Sequence, residues 1–198
     1  MNTTHRFPRR AAVALLAAGA LTLAGCSTGT SENAATAPPT AALESYGLTG
    51  LDAPEIIEEL DTMPVADRPD DLIASVQPSE LVLTSDTDGV TTLPMPEDRF
   101  YLSVAPYQQR THDCYFHSLT TCLGELSEEE VQVTVTDDDT GQTIVDDTYT
   151  TYDNGFIGLW LPRDVTGVLT IEHDGTSATA PIATGEDDLT CLTSMQLT

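Results

Sequence analysis

The sequence has no lysine, and its basic side chains are scarce: seven arginines stand against 32 aspartates and glutamates. The formal net charge is −25 at pH 7, and loss of residues 1–25, which hold three arginines and no acid, would leave 4 − 32 = −28. So acidic a surface repels the phosphates of nucleic acids and of anionic lipids. The composition therefore excludes a nucleic-acid partner and predicts that membrane attachment comes from a lipid.

The chain also lacks an apolar run long enough to span a membrane. Residues 11–24 are apolar and follow Arg6, Arg9 and Arg10, but they number fewer than the about 20 residues that a spanning helix needs. The run ends in Leu-Ala-Gly-Cys at residues 23–26, which resembles the lipobox of bacterial lipoproteins. We therefore predict a lipoprotein signal peptide at 1–25 and lipidation of Cys26. The protein would be exported and either lipid-anchored to the outer face of the cell membrane or periplasmic; an ordinary secretory signal is the alternative.

Large apolar residues are missing from the next segment as well. Residues 27–44 are rich in serine, threonine, alanine and proline, so they cannot bury enough surface to offset the entropy of ordering. We predict a flexible tether at 26–47. The roughly 150 residues that follow suit one domain, with or without a small appendage.

A small helical region is predicted at residues 48–78. Asp52 is placed to cap a helix, Pro54 suits its first turn, and Glu55 completes a capping box. Pro64 ends this helix. The segment from residue 67 to 78 has prolines near both ends and is compatible with a short helical turn or an extended link.

From residue 80 onwards the pattern changes to that of strands. Alternation at residues 131–136 is the clearest sign of a half-buried strand, and Asp/Gly turns separate several short segments of this kind. We predict a mostly β fold, an antiparallel β-sandwich-like domain at residues 79–198. The predicted strands cover residues 81–84, 100–104, 131–136, 143–150, 156–161, 168–171, 176–182 and 192–197.

Cysteine is rare, and its placement is uneven. If Cys26 carries lipid, three cysteines remain: Cys114, Cys122 and Cys191. An odd number in an exported protein leaves one thiol outside any disulfide framework. One interpretation is a structural or adhesive β-sandwich lipoprotein that a Cys114–Cys122 disulfide stabilises. The other is a three-sulfur site, with Cys191 brought to the rim of the sandwich where the long loop lies.

Thiolates at such a site would favour soft metals, and three of them suit trigonal Cu(I). His112 and His117 lie beside the first two cysteines, so two cysteines and two histidines could also hold tetrahedral zinc, although their spacing fits no familiar zinc module. Each histidine is either a ligand, a supporting residue, or a polar loop side chain. The sequence predicts a copper site at Cys114, Cys122 and Cys191, with His117 and His112 as further candidates.

Evidence for catalysis is weak. Cys114 and His117 could form a nucleophile–base pair, but no carboxylate that would orient the histidine is evident from the sequence. The chain also lacks the Cys-x-x-Cys motif of thioredoxin-like oxidoreductases. We therefore predict a metal-binding protein rather than an enzyme, with thiol-dependent copper reduction as its one redox step.

Several blocks of the chain together resemble the CueP family of bacterial envelope copper-binding proteins. They lie in the same order over roughly residue 48 to the C-terminus, at residues 93–96, 100–107, 111–126, 153–164, 170–175 and at Cys191. The family's three cysteines match Cys114, Cys122 and Cys191. The resemblance implies binding of periplasmic copper, help in reducing Cu(II), supply of copper to a Cu,Zn superoxide dismutase, and a homodimer formed through the N-terminal region. The lipobox is a departure, because it implies a tethered form.

Overall fold

A computed structural model describes residues 43–198, so the predicted signal peptide, Cys26 and most of the predicted tether lie outside the described residues. Residues 43–45 are helical and Leu43 is buried. Helix α1 spans Ala53–Asp61, and a 3-10 turn spans Val65–Asp67. No helix in this described part is long and apolar enough to cross a membrane.

The predicted capping box of α1 is confirmed. The Asp52 carboxylate accepts a hydrogen bond from the backbone N–H of Glu55 at 3.0 Å, and the Glu55 carboxylate accepts one from the N–H of Asp52 at 2.9 Å. Two otherwise unpaired amide groups at the helix start are thereby satisfied. The apolar side of the helix is buried through Ile56, Ile57 and Leu60.

Eleven strands in residues 43–198 make up most of the described fold, which confirms the predicted mostly β, antiparallel class. They form three sheets with the orders β3-β2-β1-β5, β10-β9-β6-β7 and β11-β4-β8, which we name the first, second and third sheets. The strand bounds are β1 Leu72–Val76, β2 Glu80–Ser85, β3 Gly89–Pro94, β4 Arg99–Tyr107, β5 His117–Ser118, β6 Glu130–Asp137, β7 Thr143–Thr150, β8 Ile157–Pro162, β9 Thr166–His173, β10 Thr176–Ala183 and β11 Cys191–Gln196.

Strand β4 is buried along nearly its whole length because both of its faces are covered. Phe100, Leu102 and Val104 face a core that the second and third sheets share. Tyr101 points the other way, into a second core made by α1 and the first sheet. The alternation of a strand thus lets one segment join two cores.

Strand β1 resolves the segment that the sequence left open between a helical turn and an extended link. It pairs antiparallel with β2 over five residues, from Leu72 opposite Ser85 to Val76 opposite Leu81. It also pairs with β5, where Val76 lies opposite His117. This second pairing brings the cysteine- and histidine-bearing loop against the N-terminal region.

Strand β11 is the one strand in the described residues that departs from the antiparallel pattern. It runs parallel to β4, with Cys191 opposite Ser103 and Leu192 opposite Val104. The prediction that the last strand begins near Cys191 is confirmed. Since β4 is the centre of its sheet, this pairing places the last cysteine in the interior, where it is 1% exposed.

Candidate metal centre

A long connection between β4 and β6 carries four of the five predicted ligands. Its short strand β5 fixes the backbone of His117 by pairing with β1, and the N–H of His117 donates to the hydroxyl of Thr190 at 3.0 Å. The N–H groups of Thr190 and Cys191 both donate to the carbonyl of Tyr115, at 3.0 and 3.1 Å. Backbone hydrogen bonds therefore join the loop to the start of β11.

The far end of this loop is held by a close backbone approach. The N–H of Gly124 donates to the carbonyl of Asn154 at 2.6 Å. A Cβ atom on Gly124 would lie 2.5 Å from the carbonyl oxygen of Gly155, so only glycine allows the two segments to come this near. The contact seats Cys122 beside the turn that precedes β8.

The cysteine pairing differs from the one in the structural alternative. Cys114 forms a disulfide with Cys191, 77 residues away in sequence, and not with Cys122 as the structural alternative required. Within the described residues Cys122 is the free cysteine, and its Sγ lies 3.6 Å from that of Cys114. Spacing favoured the nearer pair, but the parallel pairing of β11 with β4 brings Cys191 to the loop instead.

All five predicted ligands meet in one place, in two overlapping groups. We name the outer group His112, Cys114 and Cys122, and the inner group His117, Cys122 and Cys191. Within each group the candidate donor atoms all lie within 4.8 Å of one another, and Cys122 belongs to both. The inner group is buried, whereas in the outer group both His112 and Cys114 are partly accessible to solvent.

Asp61 is a residue of the candidate centre that the sequence analysis missed. Its carboxylate is fully buried, and Oδ1 lies 3.0 Å from Nε2 of His117. Tyr101 donates its hydroxyl to Oδ2 at 2.7 Å, and Asn154 donates its amide to Oδ1 at 2.7 Å. With Nε2 bonded to this carboxylate, the other ring nitrogen of His117 faces the sulfurs, and Nδ1 lies 3.8 Å from Sγ of Cys191.

A carboxylate that orients a metal-binding histidine in this way is common in metal sites. The sequence does carry a sign of this buried acid. Asp61 follows Ile57 by four residues, and Ile57 follows Ala53 by four, so the acid lies on the same face of α1 as these two buried apolar residues. Such an acid in a buried position needs a partner. The sequence does not say which partner, because His117 is 56 residues away.

The protonation of the centre follows from its burial and its charges. Burial alone would lower the pKa of His117, but the Asp61 carboxylate outweighs it and the pKa rises to about 9. Burial would raise the pKa of Asp61, yet the charge of His117 and three hydrogen bonds lower it. Burial would likewise raise the pKa of Cys122, but its hydrogen bond with His117 and that ring's charge lower it. The arrangement favours an anionic sulfur, which is the form that binds metals.

The stabilisation that the Asp61–His117 pair gives the folded protein is expected to fall as pH rises from 6.5 to 9. Unfolded histidine loses its proton near pH 6.5, whereas folded His117 keeps it until about pH 9, so the stabilisation is complete below 6.5 and lost through 9. The expected loss is on the order of 2 to 3 kcal/mol. Urea unfolding of Cys122→Ser at several pH values measures it, because this variant lacks the thiol, which titrates with the opposite sign. Cys122 itself contributes to the raised pKa of His117, so in this variant the fall should be complete below pH 9.

A variant pair checks that assignment. His173→Asn should keep the pH dependence, since His173 is a distant histidine whose ring bonds to the carbonyl of Glu130. His117→Gln in the same background should lose it. A flat profile between pH 6.5 and 9 in Cys122→Ser itself would contradict the ion pair.

His112 has an unusual environment for a loop side chain. Its Nε2 is buried and has no hydrogen-bond partner within the described residues, and its ring lies 6.2 Å from that of Phe156. A buried nitrogen without a partner costs free energy unless something binds it. His112 also lies with Cys114 and Cys122, where one nitrogen of its ring is placed to bind a soft metal ion.

Two comparisons with known proteins bear on this centre. A family profile described as "Periplasmic copper-binding protein CueP" matches residues 55–196. The chain belongs to the CueP family. A solved structure described as "Crystal Structure of S.CueP" is 42% identical, covers 80% of this chain and 96% of that chain, and superposes with a TM-score of 0.74. The search of curated proteins finds no match.

Family membership confirms the resemblance on which the copper prediction partly depended. The matched residues include all three cysteines of the centre, both histidines and Asp61. The donor set also fits copper, because thiolate sulfur and imidazole nitrogen are ligands that copper accepts. The residues present therefore agree with the family's description as copper-binding.

Proposed function

We propose that this protein binds copper outside the cytoplasm and holds it as Cu(I) through Cys114, Cys122 and Cys191, with His117 and His112 as further ligands. The observation that carries the proposal is the meeting of all five side chains in two groups that share Cys122. Thiolates favour Cu(I), and three-coordinate geometry suits it. If the cysteines served only to stabilise a β-sandwich by a disulfide, the burial of a His112 nitrogen without a hydrogen-bond partner would have no explanation.

The disulfide supports a redox step within the same function. When two thiols of the reduced protein meet two Cu(II) ions, each Cu(II) gains one electron and the two sulfurs form one bond: two RSH and two Cu(II) give RSSR, two Cu(I) and two protons. Cys114 and Cys191 are the pair that forms this bond. Copper reduction thus ends in the disulfide state and needs a dithiol reductant to begin again.

The setting of the protein follows from its acidic composition and its N-terminus. We propose export, with a lipid on Cys26 that holds the folded part at the outer face of the cell membrane or within the periplasm. The recipient of the copper would be an exported cuproenzyme such as a Cu,Zn superoxide dismutase. The region at residues 48–78, which contains α1 and β1, would form a homodimer contact. The family's periplasmic description supports the compartment.

Cys191→Ser tests the copper function directly. The variant should retain less copper than the wild type against a Cu(I) chelator and should reduce Cu(II) more slowly, because it has lost both a ligand and the disulfide partner of Cys114. Cys122→Ser should bind Cu(I) at least about 100-fold more weakly than the wild type. Losing a residue that only supports a ligand costs about 10- to 100-fold in metal affinity, and Cys122 is itself a proposed ligand. Chelator competition on reduced protein, with elemental analysis, measures both.

Met195→Leu is the matched control for these variants. Met195 lies in the same strand and is 1% exposed, but its sulfur belongs to the core between the second and third sheets. This change keeps side-chain volume, so copper binding should not alter. If Cys191→Ser binds and reduces copper like the wild type, the three-sulfur site is wrong; zinc retained against excess Cu(I) would instead indicate a structural zinc site.

A further inference from the structure

The geometry points to two copper positions rather than one. We propose that the fully reduced protein holds two Cu(I) ions: an outer ion bound by His112, Cys114 and Cys122, and an inner ion bound by His117, Cys122 and Cys191. The Cys122 thiolate bridges them. This inference rests on the proposed copper function and specifies its stoichiometry.

The first argument is the composition of the two groups. Each contains one imidazole, one cysteine of its own and the shared Cys122. With metal–sulfur bonds of about 2.3 Å, as for zinc, the donors of a three-coordinate ion lie about 4 Å apart. Cys114 and Cys122 are 3.6 Å apart in the outer group, and His117 and Cys191 are 3.8 Å apart in the inner group. Each group is therefore close to the size of a trigonal site.

The second argument is the charge of the reduced centre. Three thiolates with one Cu(I) carry −3 + 1 = −2, whereas with two Cu(I) they carry −3 + 2 = −1. Asp61 adds a buried negative charge beside the inner group, but the guanidinium of the buried Arg68, 4.0 Å from Oδ1 of Asp61, offsets it, so these two side chains leave both totals unchanged. Uncompensated buried charge is costly, so the second cation relieves repulsion that the first leaves.

The third argument is which cysteines the disulfide joins. It takes Cys114 from the outer group and Cys191 from the inner group, and leaves the shared Cys122 free. One disulfide releases two electrons, which reduce two Cu(II) ions to two Cu(I) ions. The same bond removes one sulfur ligand from each position, so oxidation weakens both sites together. The two proposed copper positions therefore match the two electrons that formation of this disulfide releases.

A single ion would also leave ligands without a function. An ion in the inner group alone leaves the buried Nε2 of His112 without a partner. An ion in the outer group alone leaves the Cys191 sulfur without a metal, although it lies 3.8 Å from Nδ1 of His117 and is 1% exposed, in an apolar cluster with Phe156 and Ala105. Filling both positions gives every cysteine and histidine of the two groups a metal ion to bind.

Copper stoichiometry tests the inference. Reduced protein is saturated with Cu(I) without oxygen, desalted and analysed for copper and for protein. The wild type should hold two ions per chain; Cys114→Ser, which disrupts the outer group, and Cys191→Ser, which disrupts the inner group, should each hold one. Cys122→Ser should hold none firmly, and His173→Asn, the remote control, should hold two.

X-ray absorption gives a second readout that does not depend on counting. A bridging thiolate keeps two copper ions close, so the wild type should show copper–copper scattering, and Cys114→Ser and Cys191→Ser should not. A saturated wild type with one ion and no copper–copper scattering would overturn the two-site inference and leave the copper function intact. A wild type that retains no Cu(I) would overturn both, and two ions in Cys122→Ser would overturn the bridge.

Discussion

Asp61→Asn is expected to lower the free energy of unfolding by about 3–5 kcal/mol, the range for breaking one side of a buried ion pair. The change keeps the shape of the side chain but removes the charge opposite His117, whose ring lies 3.0 Å away and is fully buried. It also places an amide N–H₂ against the donors of Tyr101 and Asn154. Urea unfolding of wild type and variant at pH 6.5 measures the difference.

A matched control separates this effect from a general effect on the helix. Glu59→Gln makes the same carboxylate-to-amide change two residues earlier in α1, on a side chain that is exposed. It should shift the free energy of unfolding by no more than about 0.5 kcal/mol. If Asp61→Asn unfolds at the same urea concentration as Glu59→Gln, the buried ion pair does not stabilise the protein.

The same variant should also weaken copper binding. Asp61 holds Nε2 of His117, and thereby leaves Nδ1 to face the sulfur of Cys191 at 3.8 Å. Losing a partner of this kind costs about 10- to 100-fold in metal affinity. Chelator competition measures the affinity, and nitrogen NMR of the imidazole reports which ring nitrogen carries the proton. An unchanged proton position in Asp61→Asn would contradict the orienting role.

Reducing the Cys114–Cys191 disulfide is expected to lower the free energy of unfolding of the metal-free protein by about 4 kcal/mol, within the usual 2–5. The bond joins residues 77 apart, so it removes much of the freedom of the unfolded chain. It also ties the long loop to β11. Thermal unfolding with and without a dithiol reductant, in the presence of a chelator, measures the loss.

Cu(I) should then restore the stability that the protein loses when its disulfide is reduced. Cu(I) that binds the folded reduced centre stabilises it in proportion to the logarithm of its concentration over its dissociation constant. The double variant Cys114→Ser/Cys191→Ser is the control, because it should respond little to the reductant and regain little stability from Cu(I). A reduced wild type as stable as the oxidised form would show that the disulfide contributes nothing.

The sequence was most informative where structure depends on near neighbours. The capping box of α1 needs only Asp52 and Glu55, three residues apart, and it was predicted and found. Most strands of the second and third sheets were predicted from alternation, which is set by the two faces of a strand. Strand β3 was missed, because its exposed, threonine-rich residues 89–94 show little apolar alternation.

The sequence by itself determined the kind of chemistry available: an odd set of thiols beside two histidines, and ordered blocks typical of the CueP family. Only the tertiary structure decided how these residues are used. Spacing favoured Cys122 as the partner of Cys114, eight residues away, but β11 lies parallel to β4 and brings in Cys191 instead. Asp61 meets His117 across 56 residues because β5 pairs with β1 and α1 packs against the same sheet. Contacts at such separations depend on how sheets and cores assemble, and no local pattern of residues encodes them.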